Sequence, residues 1–315
     1  MLKSADFSSY FRLTLSKIAI AKKVKLSQHA LTKERCVILL KRDWVVVGGC
    51  VRGADHIRKN MPCQDALHIE NRQGFHIISL SDGHGSTRCP YSDEGAKVAV
   101  KTVYTIFSHI FKGECDPFHT ISANKDIWIP KQIEQHWKSA VHDLHKSKER
   151  EQRYPQDLYE LYGATLLALV IADDFVFALQ LGDGDMLSIK AAIKDNPQVG
   201  WVIPPDGRIG QETNSLCQNN CWQHIRTRII PLSTEKTAPM FLMSTDGYAN
   251  SFCNEDGFKQ AGIDFYELWQ NKGVVHIEKN LEGWLAESST QGSGDDITMA
   301  LAVSEIKCQK PASIR

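Results

Sequence analysis

The chain has 315 residues, of which 42% are hydrophobic, and its 37 Lys/Arg balance 37 Asp/Glu to a formal net charge of zero. That composition suits a globular protein of one large domain or two small ones. The charge is uneven: residues 1–43 hold ten Lys/Arg against three Asp/Glu, so the remainder is acidic. An acidic body argues against non-specific nucleic-acid binding and suits cations. No apolar run approaches the ~20 residues of a membrane-spanning helix, so no membrane association is expected.

Lys17, Lys22, Lys23 and Lys25 interrupt the first apolar residues, which leaves no signal-peptide core. The acid-poor leader fits a solvated arm, a partner-docking segment or an organelle transit peptide. Nine scattered cysteines, an odd number, suggest free thiols in a reducing compartment, and a cytoplasmic location is expected. Cys217, Cys221 and His224 lie close in sequence but lack a fourth ligand nearby, a weak pattern for zinc.

Residues 1–43 show no clean period and read as a basic N-terminal extension. Residues 44–51 are β-rich and read as the first core strand. A polar loop over 52–63 precedes an alternating strand at 65–70. Asn71-Arg72-Gln73-Gly74 is a hairpin turn, and 75–81 pairs back. One strand of a hairpin starts where its partner ends, so Gln64-Asp65 and Asp82 fall at the same sheet edge.

Apolar residues at helical spacing predict a helix over 94–111, ended by Gly113. Residues 116–130 read as loop. Residues 131–150 read as a second long helix, with Ile133, Trp137, Val141, Leu144 and His145 on one face. From Gly163 the pattern turns to β, with strands at 163–171, 175–181 and 186–190. Residues 191–222 read as a long irregular flap. An apolar stretch at 239–244 leads into Thr245-Asp246-Gly247. Helical patterns with glycine breaks fill 248–285, and a last strand covers 297–303. Helices segregated from antiparallel strands predict an α+β fold, two packed sheets with helices outside. The predicted domain spans 44–305, followed by a tail at 306–315.

Asp82, Asp183 and Asp246 each follow an apolar strand and precede glycine, while Asp65 starts a strand and Asp295 precedes the last one. Strand ends gathered on one rim would crowd these carboxylates, which cannot all ionise without a compensating cation. All-oxygen ligands select Mg²⁺ or Mn²⁺ over zinc. Two such ions ~3.5–4 Å apart can hold a hydroxide for in-line attack on phosphorus. Asp173, Asp174 and Asp185 read as turn caps.

These residues fall in blocks: Cys63-Gln64-Asp65-Ala66, Ser81-Asp82-Gly83-His84-Gly85-Ser86, Gly163-Ala164-Thr165, Leu181-Gly182-Asp183-Gly184, Ser244-Thr245-Asp246-Gly247 and Gly294-Asp295-Asp296-Ile297-Thr298. In that order they make the chain resemble the metal-dependent protein phosphatases of the PP2C family, over roughly residues 44–305. Glu212-Thr213-Asn214-Ser215-Leu216 is similar to a segment of its bacterial branch. The resemblance implies an αββα sandwich and hydrolysis of phosphoserine or phosphothreonine, by attack of a hydroxide bridging two Mn²⁺ or Mg²⁺ ions.

It further implies that Asp82 bridges the ions and the Gly83 carbonyl binds one. Asp246 and Asp295 would complete the shell of the second ion, and Asp183 would hold a third, weaker one. His84 would protonate the leaving alkoxide, and Asp65 would orient metal-bound water. Three features depart from the family's usual pattern. Gln64 replaces a Glu, which removes a charge and lowers the expected metal affinity. The phosphate-holding Arg has no clear counterpart, and His56, Arg58 and Lys59 are the nearby candidates. Asp296 replaces an Asn and would partly compensate for Gln64. The implied partners are phosphoprotein substrates and a cognate Ser/Thr kinase, with the protein itself a monomer. The alternative is a pseudophosphatase, a phosphoprotein-binding regulatory module of the same fold without turnover.

Overall fold

The computed structural model describes residues 42–151, 155–191, 197–205, 213–232 and 239–306. The expectations for residues 1–41 of the basic extension, for Glu212 and for the tail beyond Ile306 lie outside these residues, whereas Arg42 and Asp43, expected in that extension, begin the first strand.

The described residues form ten strands: β1 (Arg42–Val51), β2 (Ala66–Arg72), β3 (Phe75–Ser81), β4 (Leu166–Ala172), β5 (Phe175–Leu181), β6 (Asp185–Lys190), β7 (Gln198–Trp201), β8 (Arg226–Pro231), β9 (Met240–Ser244) and β10 (Ile297–Ile306). They form two five-stranded sheets, ordered β1-β10-β9-β6-β7 and β2-β3-β4-β5-β8. Every neighbouring pair is antiparallel.

Alternate side chains of a strand serve opposite faces. Ile78, Leu80, Leu167 and Leu169 from one sheet meet Met186, Phe241, Met243 and Ala300 from the other in a shared core. Their neighbours Ile77, Leu166, Ala168 and Val170 face outward onto helices. That outer layer is α2 (Ser92–Lys112) and α4 (Trp128–Ser147), which place Val103, Phe107, Ile133 and Trp137 in the same cluster. On the opposite face α7 (Glu255–Lys272) and α8 (Val274–Gln291) contribute Phe265, Trp269, Leu281 and Leu285, packed against Leu187, Leu242 and Leu301. The layers are therefore helix, sheet, sheet, helix.

Four short α-helices and a 3-10 turn at Cys221–His224 complete the described elements; the helices are α1 (Ala54–Arg58), α3 (Pro117–Asn124), α5 (Pro155–Glu160) and α6 (Asp246–Ala249). Two of them correct the sequence reading. The stretch at 116–130 is not loop, because Asp116 caps α3 by accepting from His119 N at 2.8 Å, and Pro117 occupies its first turn. α1 interrupts the loop at 52–63 but buries no side chain, so no apolar period announces it. The segment at 191–222 also contains β7, a four-residue edge strand. β8 has only partly buried or exposed residues and alternates arginine with Thr and Ile, which hid it as well. Among the described residues no helix is long and apolar enough to cross a membrane.

Candidate active site

The β2–β3 hairpin sets the first two acids. Its terminal pair is Ala66 with Ser81, so Asp65 and Asp82 lie just beyond, at one end. Gly83 N continues the pairing by donating to Gln64 O at 3.2 Å. The Gly163-Ala164-Thr165 block then clamps Asp82 from the other side. Thr165 N donates to Asp82 O at 2.8 Å, Asp82 N donates to Thr165 Oγ1 at 3.0 Å, and Ser81 Oγ donates to Thr165 O at 2.6 Å. His84 N donates to Gly163 O at 3.1 Å, which fixes the next turn of the chain.

The second sheet brings the other acids. Asp185 pairs with Ser244 in register, so the turn from β5 to β6 and the end of β9 share a rim. Gly182 makes that turn with a φ of +100°, and a Cβ there would come within 2.6 Å of Thr165 Cγ2. Asp183, Gly184 and Asp185 follow it. Thr245 joins β9 to β10: its N donates to Thr298 O at 3.0 Å, and its Oγ1 accepts from Thr298 N at 2.9 Å. The same hydroxyl donates to Asp65 Oδ2 at 2.8 Å. A fully buried carboxylate thus ties the two sheets together one residue before Asp246.

One oxygen from each of Asp82, Asp183 and Asp246 lies within 4.8 Å of the others. Burial pushes the Asp82 carboxyl well up, and Asp65, Asp246, Asp183 and Asp295 add their repulsion. Asp246 is pushed up to about 6 by burial and by Asp183 and Asp295, against a hydrogen bond with Asp82. Asp65 is raised by burial and by Cys50, while Thr298 and Thr245 pull it back. Oxygen donors that repel one another and crowd one rim fit a hard divalent cation. Gln64 Oε1 is buried without a partner, while its Nε2 donates to Ser92 Oγ at 2.9 Å.

The remaining sequence candidates are placed as follows. Asp295 is exposed; its Oδ1 accepts from Asp296 N at 2.8 Å and lies 3.7 Å from His56 Nε2. The Asp296 carboxylate is buried and taken up by Gly53 N at 2.6 Å, Gln64 N at 2.6 Å and His56 Nδ1 at 2.9 Å. It anchors the loop that carries α1. Arg58 is exposed and pairs with Asp55, its neighbour in α1. Burial holds the His84 imidazole below its ordinary range, with Asp183 pulling the other way.

Beside His84 opens a cleft of about 520 Å³, lined in part by Ser86, Arg88, Glu160, Thr213 and Gln218. Thr213 Oγ1 donates to Asp183 Oδ2 at 2.6 Å, so the cleft wall adjoins the acidic cluster. Asp185 is no simple turn cap. Burial, Asp183 and Asp246 push it up to about 7, so it belongs to the acidic rim. Cys217 donates to Ser215 Oγ at 3.2 Å and Cys221 to Leu216 O at 3.6 Å; with exposed His224 they form no metal-ligand group among the described residues. Thr165 and Thr245 carry positioning roles that the sequence did not reveal, because a threonine beside a motif has many structural uses.

The family model for protein phosphatase 2C matches residues 52–286. The chain belongs to the protein phosphatase 2C family. No curated protein sequence matches it. Among solved structures, a bacterial serine phosphatase superposes with a TM-score of 0.55 at 15% identity, covering 84% of this chain and 99% of that one. The catalytic domain of the serine/threonine phosphatase PstP, in complex with 2 manganese ions, gives a TM-score of 0.51 at 14% identity over 84% of this chain and 99% of that one. PppA, a regulatory component of T6SS in Pseudomonas aeruginosa, gives 0.53 at 12% identity over 83% and 98%. At these identities the likeness concerns the protein phosphatase 2C fold.

Proposed function

We propose that the chain is an active protein phosphatase that hydrolyses phosphoserine and phosphothreonine with Mn²⁺ or Mg²⁺ as cofactor. The observation that carries this reading is the triad of Asp82, Asp183 and Asp246 beside His84. Divalent cations bound there would neutralise the carboxylates and activate water toward the phosphate. Asp82, Asp183 and Asp246 would hold the cations, with the Gly83 carbonyl and Asp295 as further oxygen donors. Asp65 holds Thr245, and through it the start of α6 that carries Asp246.

His84 gives a ring proton to the departing serine or threonine oxygen. Burial disfavours the imidazolium that must make this transfer, and the neighbouring Asp183 works against that loss. Arg88 is exposed on the cleft wall and offers a guanidinium fork to the phosphate oxygens. Gln64, in place of a charged residue, favours the competing reading of a phosphoprotein-binding module without turnover.

Hydrolysis of p-nitrophenyl phosphate and of a phosphopeptide panel separates the two. The expected result is turnover with Mn²⁺ that disappears on EDTA treatment. Mn²⁺ and phosphopeptide binding by calorimetry without any turnover would establish the binding module instead.

A further inference from the structure

Two cysteines outside the proposed chemistry stand against its frame. Cys50 lies on β1, and Cys63 lies in the segment that enters Gln64-Asp65. Both are free thiols, partly buried, with Sγ atoms 3.7 Å apart. Cys63 Sγ also donates to Val51 O at 3.8 Å, so its thiol is already turned toward β1. A disulfide needs the sulfurs at about 2.05 Å. The remaining approach is under two ångströms and is shared by two side chains, one of them on a loop. We infer that Cys50 and Cys63 are a modification site: a dithiol that a hydroperoxide converts to a disulfide, which resets the Gln64-Asp65 segment and slows turnover.

The chemistry closes without further reagents. The Cys50 thiolate attacks one oxygen of hydrogen peroxide; the O–O bond breaks, a sulfenic acid forms and water leaves after protonation. The Cys63 sulfur then attacks the Cys50 sulfur, the S–O bond breaks, and the hydroxide departs as a second water with the Cys63 proton. Two thiols lose two electrons and peroxide gains them. The Cys50 thiol is pushed down to about 7, first by the hydrogen bond with Cys63 and also by Thr298, against burial, which suits it to the first attack.

The link to the site is covalent and short. Directly after Cys63, Gln64 N holds Asp296 at 2.6 Å, and Asp65 accepts from Thr245 at 2.8 Å. Drawing Cys63 toward β1 pulls on both contacts. The disulfide would also close the loop that carries α1 and His56, whose ring sits 2.9 Å from Asp296. Displacements of this size next to a reacting centre cost a large part of the rate.

The effect on turnover rests on the phosphatase reading, whereas disulfide formation does not. The test treats the full chain with hydrogen peroxide, alkylates the remaining thiols and analyses the digest by mass spectrometry. A Cys50–Cys63 linked peptide that dithiothreitol removes is expected. With Mn²⁺ present, p-nitrophenyl phosphate turnover should fall about tenfold on oxidation and return on reduction. Cys50→Ala should keep the reduced rate and lose the peroxide response; Cys63→Ser is a second variant should the first fold poorly. Singly alkylated Cys50 and Cys63 after peroxide would overturn the modification site. A linked peptide with an unchanged rate would overturn its control of the site. If the reduced protein shows no turnover, the phosphatase reading fails, and the Mn²⁺-induced shift in melting temperature, expected to shrink on oxidation, decides control instead.

Discussion

Asp82 is a cost to the metal-free chain. Burial and four neighbouring carboxylates raise its carboxyl, so the charged form opposes folding. Asp82→Asn keeps the shape and removes the charge. It should abolish Mn²⁺-dependent turnover, by at least ~100-fold, while raising the melting temperature of the metal-free protein by a few degrees. A lower melting temperature would show that Asp82 is not repelled. Asp185 supports a prediction with a pH sign. Its carboxyl moves from 3.8 to about 7, so the folded state holds a proton that the unfolded chain has lost. The stability this gives is present below 3.8 and lost as pH rises through about 7. Asp185→Asn should therefore stabilise the metal-free protein more at pH 8 than at pH 5, which differential scanning fluorimetry can read. The acids Asp65, Asp82, Asp183, Asp246 and Asp295 were legible because each sits where a strand meets a turn. Asp185 was not, since its acidity follows from burial against Asp183 and Asp246, which only the packed rim creates.

At the scale of elements, α2 is seated on the segment that clamps Asp82. A Cβ on Gly95 would lie 1.9 Å from Tyr162 O, so the helix touches the chain just before Gly163. Trp137 Nε1 from α4 donates to Gly95 O at 3.0 Å and locks the same point. Arg150, past the end of α4, binds Glu94 through two 2.9 Å hydrogen bonds and stacks 3.5 Å from the Tyr91 ring. Gly95→Ala should force these pieces apart, costing about 1–3 kcal/mol of stability, the usual range for overpacking. It should also weaken Mn²⁺ binding, because Thr165 follows Tyr162 by three residues; unchanged metal titration would mean the clamp tolerates the shift. Elements with one wet face or a clean period were readable from the residues alone. β4 and β5 were readable too, as unbroken apolar runs, because every position in them is buried. β8 and α1 had neither signal, and their place comes from neighbours: β8 from pairing with β5, α1 from the anchor at Asp296.

For the whole molecule, the core between the sheets and the acidic rim do complementary work. Leu169 is fully buried between the sheets, and Leu169→Ala should cost about 2–5 kcal/mol by cavity formation. At the rim the same two sheets meet through carboxylates that repel. Mn²⁺ at a hundred times its dissociation constant should contribute ~2.7 kcal/mol and raise the melting temperature by several degrees. No shift with Mn²⁺ would show that the acids do not bind it in the folded state.

The strand order has a consequence for how the chain is made. β2, β3, β4 and β5 pair in sequence, so that sheet can assemble as it leaves the ribosome. β1 cannot, because it is an edge strand whose register partner is β10, joining Arg42 to Ile306. At ~5–20 residues per second, β1 waits on the order of ten seconds or more for its neighbour. β10 also separates β1 from β9, and Asp295 arrives only with it. A nascent chain stalled before Gly294 would thus hold Asp82, Asp183 and Asp246 without a closed sheet, exposing the β1 and β9 edges to chaperones or to one another. Synthesis of residues 294–306 is then the step that lets the sheet of β1 and β9 close.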